Sequence, residues 1–199
     1  WIANARVMLI LLYRPTYSHQ WGNKSYYSKI GLTHLSKASS NQLISALLED
    51  GQVAADLFQM IRNRSSGNPL FMEEFTYSLL ESGSIQQQDH QFVLTTKASE
   101  IQLPDTIQGI IAARLDRLEN RLKYTIQVAS VIGREFSYRI LQAISGMQEE
   151  IKSCLNDLQG LELIYEKTLL PDLEYIFKHA LTQEVAYNSL LQKRRKEIH

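Results

Sequence analysis

The chain is poor in the residues that usually announce a particular chemistry. It has one cysteine, Cys154, in 199 residues. That excludes an internal disulfide framework and suits a reducing compartment, so a cytoplasmic location is expected. Its five histidines, at 19, 34, 90, 179 and 199, include no pair at metal-ligand spacing, which argues against a zinc site. Basic and acidic side chains number 21 each, for a formal net charge of zero. No global field therefore draws nucleic acid or an anionic membrane. The longest apolar run, Val7 to Tyr13, is far too short to cross a bilayer, and no stretch has the pattern of a signal peptide. No membrane contact is expected. The first residue is Trp1 rather than Met, so the chain is expected to be part of a longer protein. No Ser-His-Asp arrangement has a supporting elbow motif. The sequence also lacks G-x-x-x-x-G-K-[ST] and any apolar strand ending in acidic residues. Phosphoryl transfer relies on that lysine and on Mg²⁺, so these residues alone are expected neither to hydrolyse ATP nor to bind it tightly.

What is present is mostly helical periodicity. Arg6 to Tyr13 is a continuous apolar run and reads as one strand of a parallel sheet, buried on both faces and ended by Pro15. Thr16 to Lys29 reads as a loop. Ser39-x-x-Gln42 predicts a capped helix through Leu48, and the spacing of apolar residues from Val53 to Arg64 predicts a second. Gly67-Asn68-Pro69 turns into a third, Pro69 to Glu81, with Pro69 at the first helical position and Gly83 closing the end. Ser84 to Thr96 reads as a hairpin with its turn at Gln88-Asp89-His90. A boundary near Lys97 to Leu103 divides the chain into residues 1–100 and 101–199. Pro104 opens a long helix to Leu118. Helices then follow from Asn120 to Ile132, Ser137 to Ile144 and Gln148 to Leu161. Strand-like pieces Leu163 to Glu166 and Glu174 to Phe177 flank a Pro171-Asp172 turn. One last helix runs from near His179 to the basic end Lys193-Arg-Arg-Lys196. Three helices and then a hairpin is the order of a winged helix.

Five stretches taken together resemble the second half of the ATPase module in signal-transduction NTPases with numerous domains, relatives of AAA+ proteins. They are Leu9-Ile-Leu-Leu-Tyr-Arg-Pro15, Ser66-Gly-Asn-Pro-Leu-Phe-Met-Glu-Glu-Phe75, Leu103 to Leu118, Ala129-Ser-Val-Ile-Gly-Arg-Glu-Phe136 and Phe177-Lys-His-Ala-Leu-Thr-Gln-Glu-Val-Ala-Tyr187. They cover almost the whole chain in the family's order. The resemblance is to modules found in bacterial proteins beside adenylate/guanylate cyclase or kinase domains and before tetratricopeptide repeats. It implies a mostly α fold: a remnant β-strand of a P-loop NTPase core, a helical lid, then a winged-helix-like domain leading into a C-terminal helix. It also implies ATP/ADP with Mg²⁺ as the cofactor of the intact protein. In that setting Arg14 faces the terminal phosphate, Gly67, Asn68 and Pro69 form the adenine turn, and His179 reads the β-phosphate of ADP. Relatives carry that histidine in a Met-His-Asp triplet, whereas Lys178 and Ala180 flank it here.

The implied function is a regulatory nucleotide switch inside a multidomain protein, inactive alone. Its partners would be an upstream P-loop core, downstream repeats and, through an unpaired strand edge, a second copy of itself. Two non-enzymatic alternatives are an interaction scaffold and a DNA-binding winged helix. The latter is disfavoured because Gln148 to Leu161 carries Glu149, Glu150 and Asp157 against Lys152 alone, the wrong sign for a polyanion. Plainer readings of the same residues are a surface Arg14, a simple helix start at Gly67 to Pro69, and a His179 that only caps its helix. Arg114 and Arg117 read as a solvated face sharing Asp116, and Glu73-Glu74 as carboxylates suited to a helix dipole.

Overall fold

Apolar residues three and four apart become helices whose inward stripes build the molecule, which is mostly α. The computed structural model describes residues 5–14, 16–18, 20, 22, 25–101, 103–147, 150–168 and 172–199. The chain divides into two units, 1–34 and 35–199.

In the first unit the expected strand does not form. Residues 6–13 pair with no ladder among the described residues, and Val7, Met8 and Leu12 are 63%, 82% and 90% exposed. The physical reason is that an extended apolar run becomes a strand only when neighbours take up its backbone N–H and C=O groups and cover its faces. Pro15, expected to end that strand, lies outside the described residues, as do Gln148 and Pro171. The Tyr13 and Tyr27 hydroxyls meet at 2.7 Å within this unit.

The second unit opens with α1 (Lys37–Leu47). Its cap is Ser36, three residues before the one expected, because Ser36 Oγ reaches the Ser39 amide at 3.1 Å and so places Ser39 inside the first turn. Next come β1 (Gln52–Val53), α2 (Ala55–Ser65) and α3 (Pro69–Glu81). β2 (Ile85–Gln88) and β3 (Gln91–Leu94) form the expected hairpin, with β1 added in parallel to give the order β1-β3-β2. The two turn residues Asp89 and His90 both have positive φ, the geometry that matches strand twist in a two-residue hairpin.

α4 (Ile107–Arg117), α5 (Asn120–Ile132), β4 (Glu135–Ser137), α6 (Tyr138–Ser145) and α7 (Ile151–Gly160) follow. β5 (Ile164–Thr168) and β6 (Glu174–Phe177) complete a second antiparallel sheet in the order β4-β6-β5. The short strands β1 and β4 escape sequence reading because two or three residues carry no period. The single terminal helix expected from His179 is two, α8 (Ala180–Ser189) and α9 (Gln192–Ile198), parted by extended backbone at Leu190 and Leu191.

Two cores result. Ile44, Leu57, Ile61, Phe75 and Leu79 build one; Ile126, Leu155, Ile164 and Phe177 belong to the other. α4 is shared between them: Ile110 lies in the first, Ile111 and Leu115 in the second, and Ile107 packs on both. The expected boundary near residue 100 precedes this shared helix and falls inside one continuous unit.

Candidate functional site

The start of α3 is built as its sequence dictates. Ser66 and Gly67 both take positive φ, a conformation glycine adopts without a Cβ penalty. The Gly67 carbonyl accepts from the Leu35 amide at 2.9 Å. Asn68 is the N-cap, its side chain accepting from the Phe71 amide at 3.1 Å. Pro69 follows at the first helical position, where no N–H is needed. One turn further on, α3 presents Glu73 and Glu74 to the second half of the unit.

His179 arrives there from the end of β6. By backbone it is the N-cap of α8, yet its side chain makes no capping bond. Instead Nε2 lies 3.1 Å from Glu73 Oε2 and 4.0 Å from Glu74 Oε1. An ionised carboxylate only accepts, so in the neutral ring the proton sits on Nε2. Lys178 pairs with the other oxygen of Glu73 and with Glu162 at 2.8 Å. Its ammonium also lies over the rings of Tyr77 and Tyr165, 5.2 and 5.5 Å from their centroids. Burial pushes the Glu73 carboxyl up, but hydrogen bonds from His179 and Lys178, with the charge on Lys178, outweigh it and hold the group at about 2. Burial pushes the Lys178 amine down; its bonds to Glu162, Glu73 and Tyr165 more than reverse this and raise it above the usual range.

Beside this lies a buried ionic knot. Arg114 and Glu74 are each 2% exposed and paired. The Arg114 Nε lies 3.0 Å from both Glu81 oxygens, and its Nη2 donates to the Leu161 carbonyl at 3.0 Å. Arg117 donates to Ser78 Oγ at 2.7 Å. The solvated-face reading of Arg114 therefore fails. Asp116 pairs with Lys123 at 2.7 Å instead. Glu73 and Glu74 lie beyond the first turn of α3, where the dipole acts, and pair instead with groups 106 and 40 residues away. A signal was present, since Arg114 shares a helical stripe with Ile110, Ile111 and Leu118. A charge on an apolar stripe is normally buried only with a partner.

Of the five expected site residues, Gly67, Asn68, Pro69 and His179 belong to this one unit, and α3 links them through Glu73. Arg14 belongs to the 1–34 unit, where it is exposed and its carbonyl accepts from the Tyr17 amide at 2.9 Å. Among the described residues no cluster of acidic, histidine or cysteine side chains could hold a metal ion, and no helix is long and apolar enough to cross a membrane.

No family model matches the chain. It is 25% identical, over 206 aligned residues and its whole length, to the uncharacterized protein R02095 of Rhizobium meliloti (strain 1021). The chain spans 19% of that relative's length.

Proposed function

We propose that these residues are the lid and winged-helix-like part of an ATP/ADP-responsive switch in a longer signalling ATPase, one that could carry a nucleotidyl cyclase or kinase as its output. The phosphate loop and the Mg²⁺ ligands would come from elsewhere in that protein. In support of the winged-helix reading, residues 120–177 run helix, strand, helix, helix, strand, strand with the sheet order β4-β6-β5. DNA binding fits less well: α7 turns outward Lys152, Ser153 and Asn156, with Glu150 before it and Asp157 paired to Arg121 at 3.2 Å.

The observation that carries the proposal is the His179–Glu73 hydrogen bond, which seats the histidine one turn of α3 beyond the Asn68-Pro69 cap. On this reading the same helix that carries the adenine turn also meets the phosphate-reading imidazole. Around His179, four carboxylates (Glu73, Glu74, Glu81, Glu162) face three permanent cations (Lys178, Arg114, Arg117). The surroundings alone do not attract a phosphate. The ring must exchange its Nε2 proton from Glu73 to the ligand. Glu73 is then the resting partner of His179, and the β-phosphate of ADP its competitor.

A contact made in one state alone shifts the balance by its own free energy. One hydrogen bond to a charged group is worth roughly 1.5–3 kcal/mol. His179→Ala in the full-length protein should therefore weaken ADP binding by about tenfold or more and leave ATP affinity nearly unchanged. Calorimetric titration of both nucleotides reads this directly. Equal losses for the two nucleotides, or no loss for either, would reject the switch role.

A further inference from the structure

The cleft between α1 and α2 holds positive charge with no counterpart among the described residues. Lys37 and Ser40 line it from α1, Gln59 and Arg62 from α2, and Ser66 and Gly67 from the turn before α3; its volume is about 490 Å³. Among the described residues no carboxylate lines it. Among the described residues the buried side-chain N and O atoms without a partner are Asn41 Oδ1 and the Nε and Nη1 of Arg62. Arg64, two residues on, behaves differently and pairs with Asp105. A guanidinium is always charged, and its buried N–H groups are costly to leave without an acceptor. Its planar fork of donors matches the oxygens of a phosphate or carboxylate. Lys37, exposed in the first turn of α1, has no ion-pair partner among the described residues.

We propose that this cleft is a binding site for a small phosphate-bearing ligand, with the Arg62 guanidinium turning its buried donors towards the ligand as the forked contact and Lys37 as the second charge. Two cations match the charge of about −1.5 to −2 that a phosphate monoester carries at neutral pH, which favours it over a single carboxylate. The site shares Gly67 with the turn assigned above to adenine, but neither His179 nor Glu73 lines it, so loss of the His179 switch would leave it standing.

The test is a titration of the chain with inorganic phosphate, following backbone amide resonances at ionic strength held constant with sodium chloride. Saturable shifts at Lys37, Arg62 and Gly67 are expected. Arg62→Gln should weaken binding by about tenfold or more, whereas Arg64→Gln and His179→Ala should leave it unchanged. Because Lys37 is exposed, Lys37→Gln keeps the fold and must also weaken binding, whatever becomes of the Arg62 variant. Absence of saturable shifts, or unaltered affinity in Arg62→Gln and Lys37→Gln, would overturn the site. Acetate binding as tightly as phosphate would overturn the phosphate assignment, and loss of binding in His179→Ala would move the anion to the other face of α3.

Discussion

Arg114 illustrates how much one side chain can depend on its partners. It is buried, charged and bonded to Glu74, Glu81 and the Leu161 carbonyl, so it ties α3 to the C-terminal end of α7 through α4. Removing one partner of such a pair leaves an uncompensated buried charge, at a cost of about 3–5 kcal/mol. Arg114→Met should lower the urea midpoint accordingly, and Arg114→Met combined with Glu74→Gln should recover a large part of the loss. If the double variant is as unstable as the sum of the single ones, Arg114 and Glu74 are not coupled. Glu73 makes a pH prediction. Its folded pKa, about 2, lies below its ordinary value of 4.5. The stabilisation is therefore present above about pH 4.5 and is lost as the pH falls towards 2. Lys178 and His179 bond to that carboxyl and set this balance, and Lys178 in turn meets Glu162 and the Tyr77 ring. The stability gap between wild type and Glu73→Gln, read from urea unfolding, should shrink over that window. A gap independent of pH would mean that the pairing contributes nothing.

At the scale of elements, the start of α3 separates a structural role from a ligand role. Asn68 caps the helix through the Phe71 amide, and losing such a cap costs about 0.5–2 kcal/mol. Pro69 has no backbone donor to lose and already sits where proline is pre-organised. Asn68→Ala should therefore lower the melting temperature measurably, while Pro69→Ala changes it little. If the proposed switch is right, Pro69→Ala in the intact protein should nevertheless weaken nucleotide binding, since the turn's shape is what adenine packing would need. Wild-type nucleotide affinity in Pro69→Ala would return the turn to a plain helix start.

For the whole molecule, the shared helix α4 and the ionic knot beside it join two cores into one unit from residue 35 to 199. The 1–34 unit contrasts with it: its run from Val7 to Leu12 is exposed. Exposed apolar backbone without ladder partners invites pairing with another strand. The chain should associate as its concentration rises, and sedimentation velocity over a concentration series checks this. A single monomeric species throughout would count against an unpaired strand in search of a sheet.

The sequence by itself determined the helices, to within a residue or two at α3 and α5, because period, cap and glycine stop all act locally. Pro69 opens α3 and Gly133 ends α5 with a φ no other residue adopts readily. The hairpin of β2 and β3 was legible for the same reason: its turn chemistry lies within four residues. Of the candidate site, the Gly67-Asn68-Pro69 turn and His179 could be singled out as residues, but their meeting could not. The bond between His179 and Glu73 closes a loop of 106 residues, and no local pattern encodes which carboxylate lies opposite. Tertiary packing decided which carboxylates meet the Arg114 that the apolar stripe points inward, that Glu73 and Glu74 have distant partners, and that the apolar run at 6–13 stays outside a sheet. For the charged side chains the deciding term is an ion pair with a group distant in sequence, which outweighs the few tenths of a kcal/mol that local propensity supplies; for the run it is the lack of a ladder partner among the described residues.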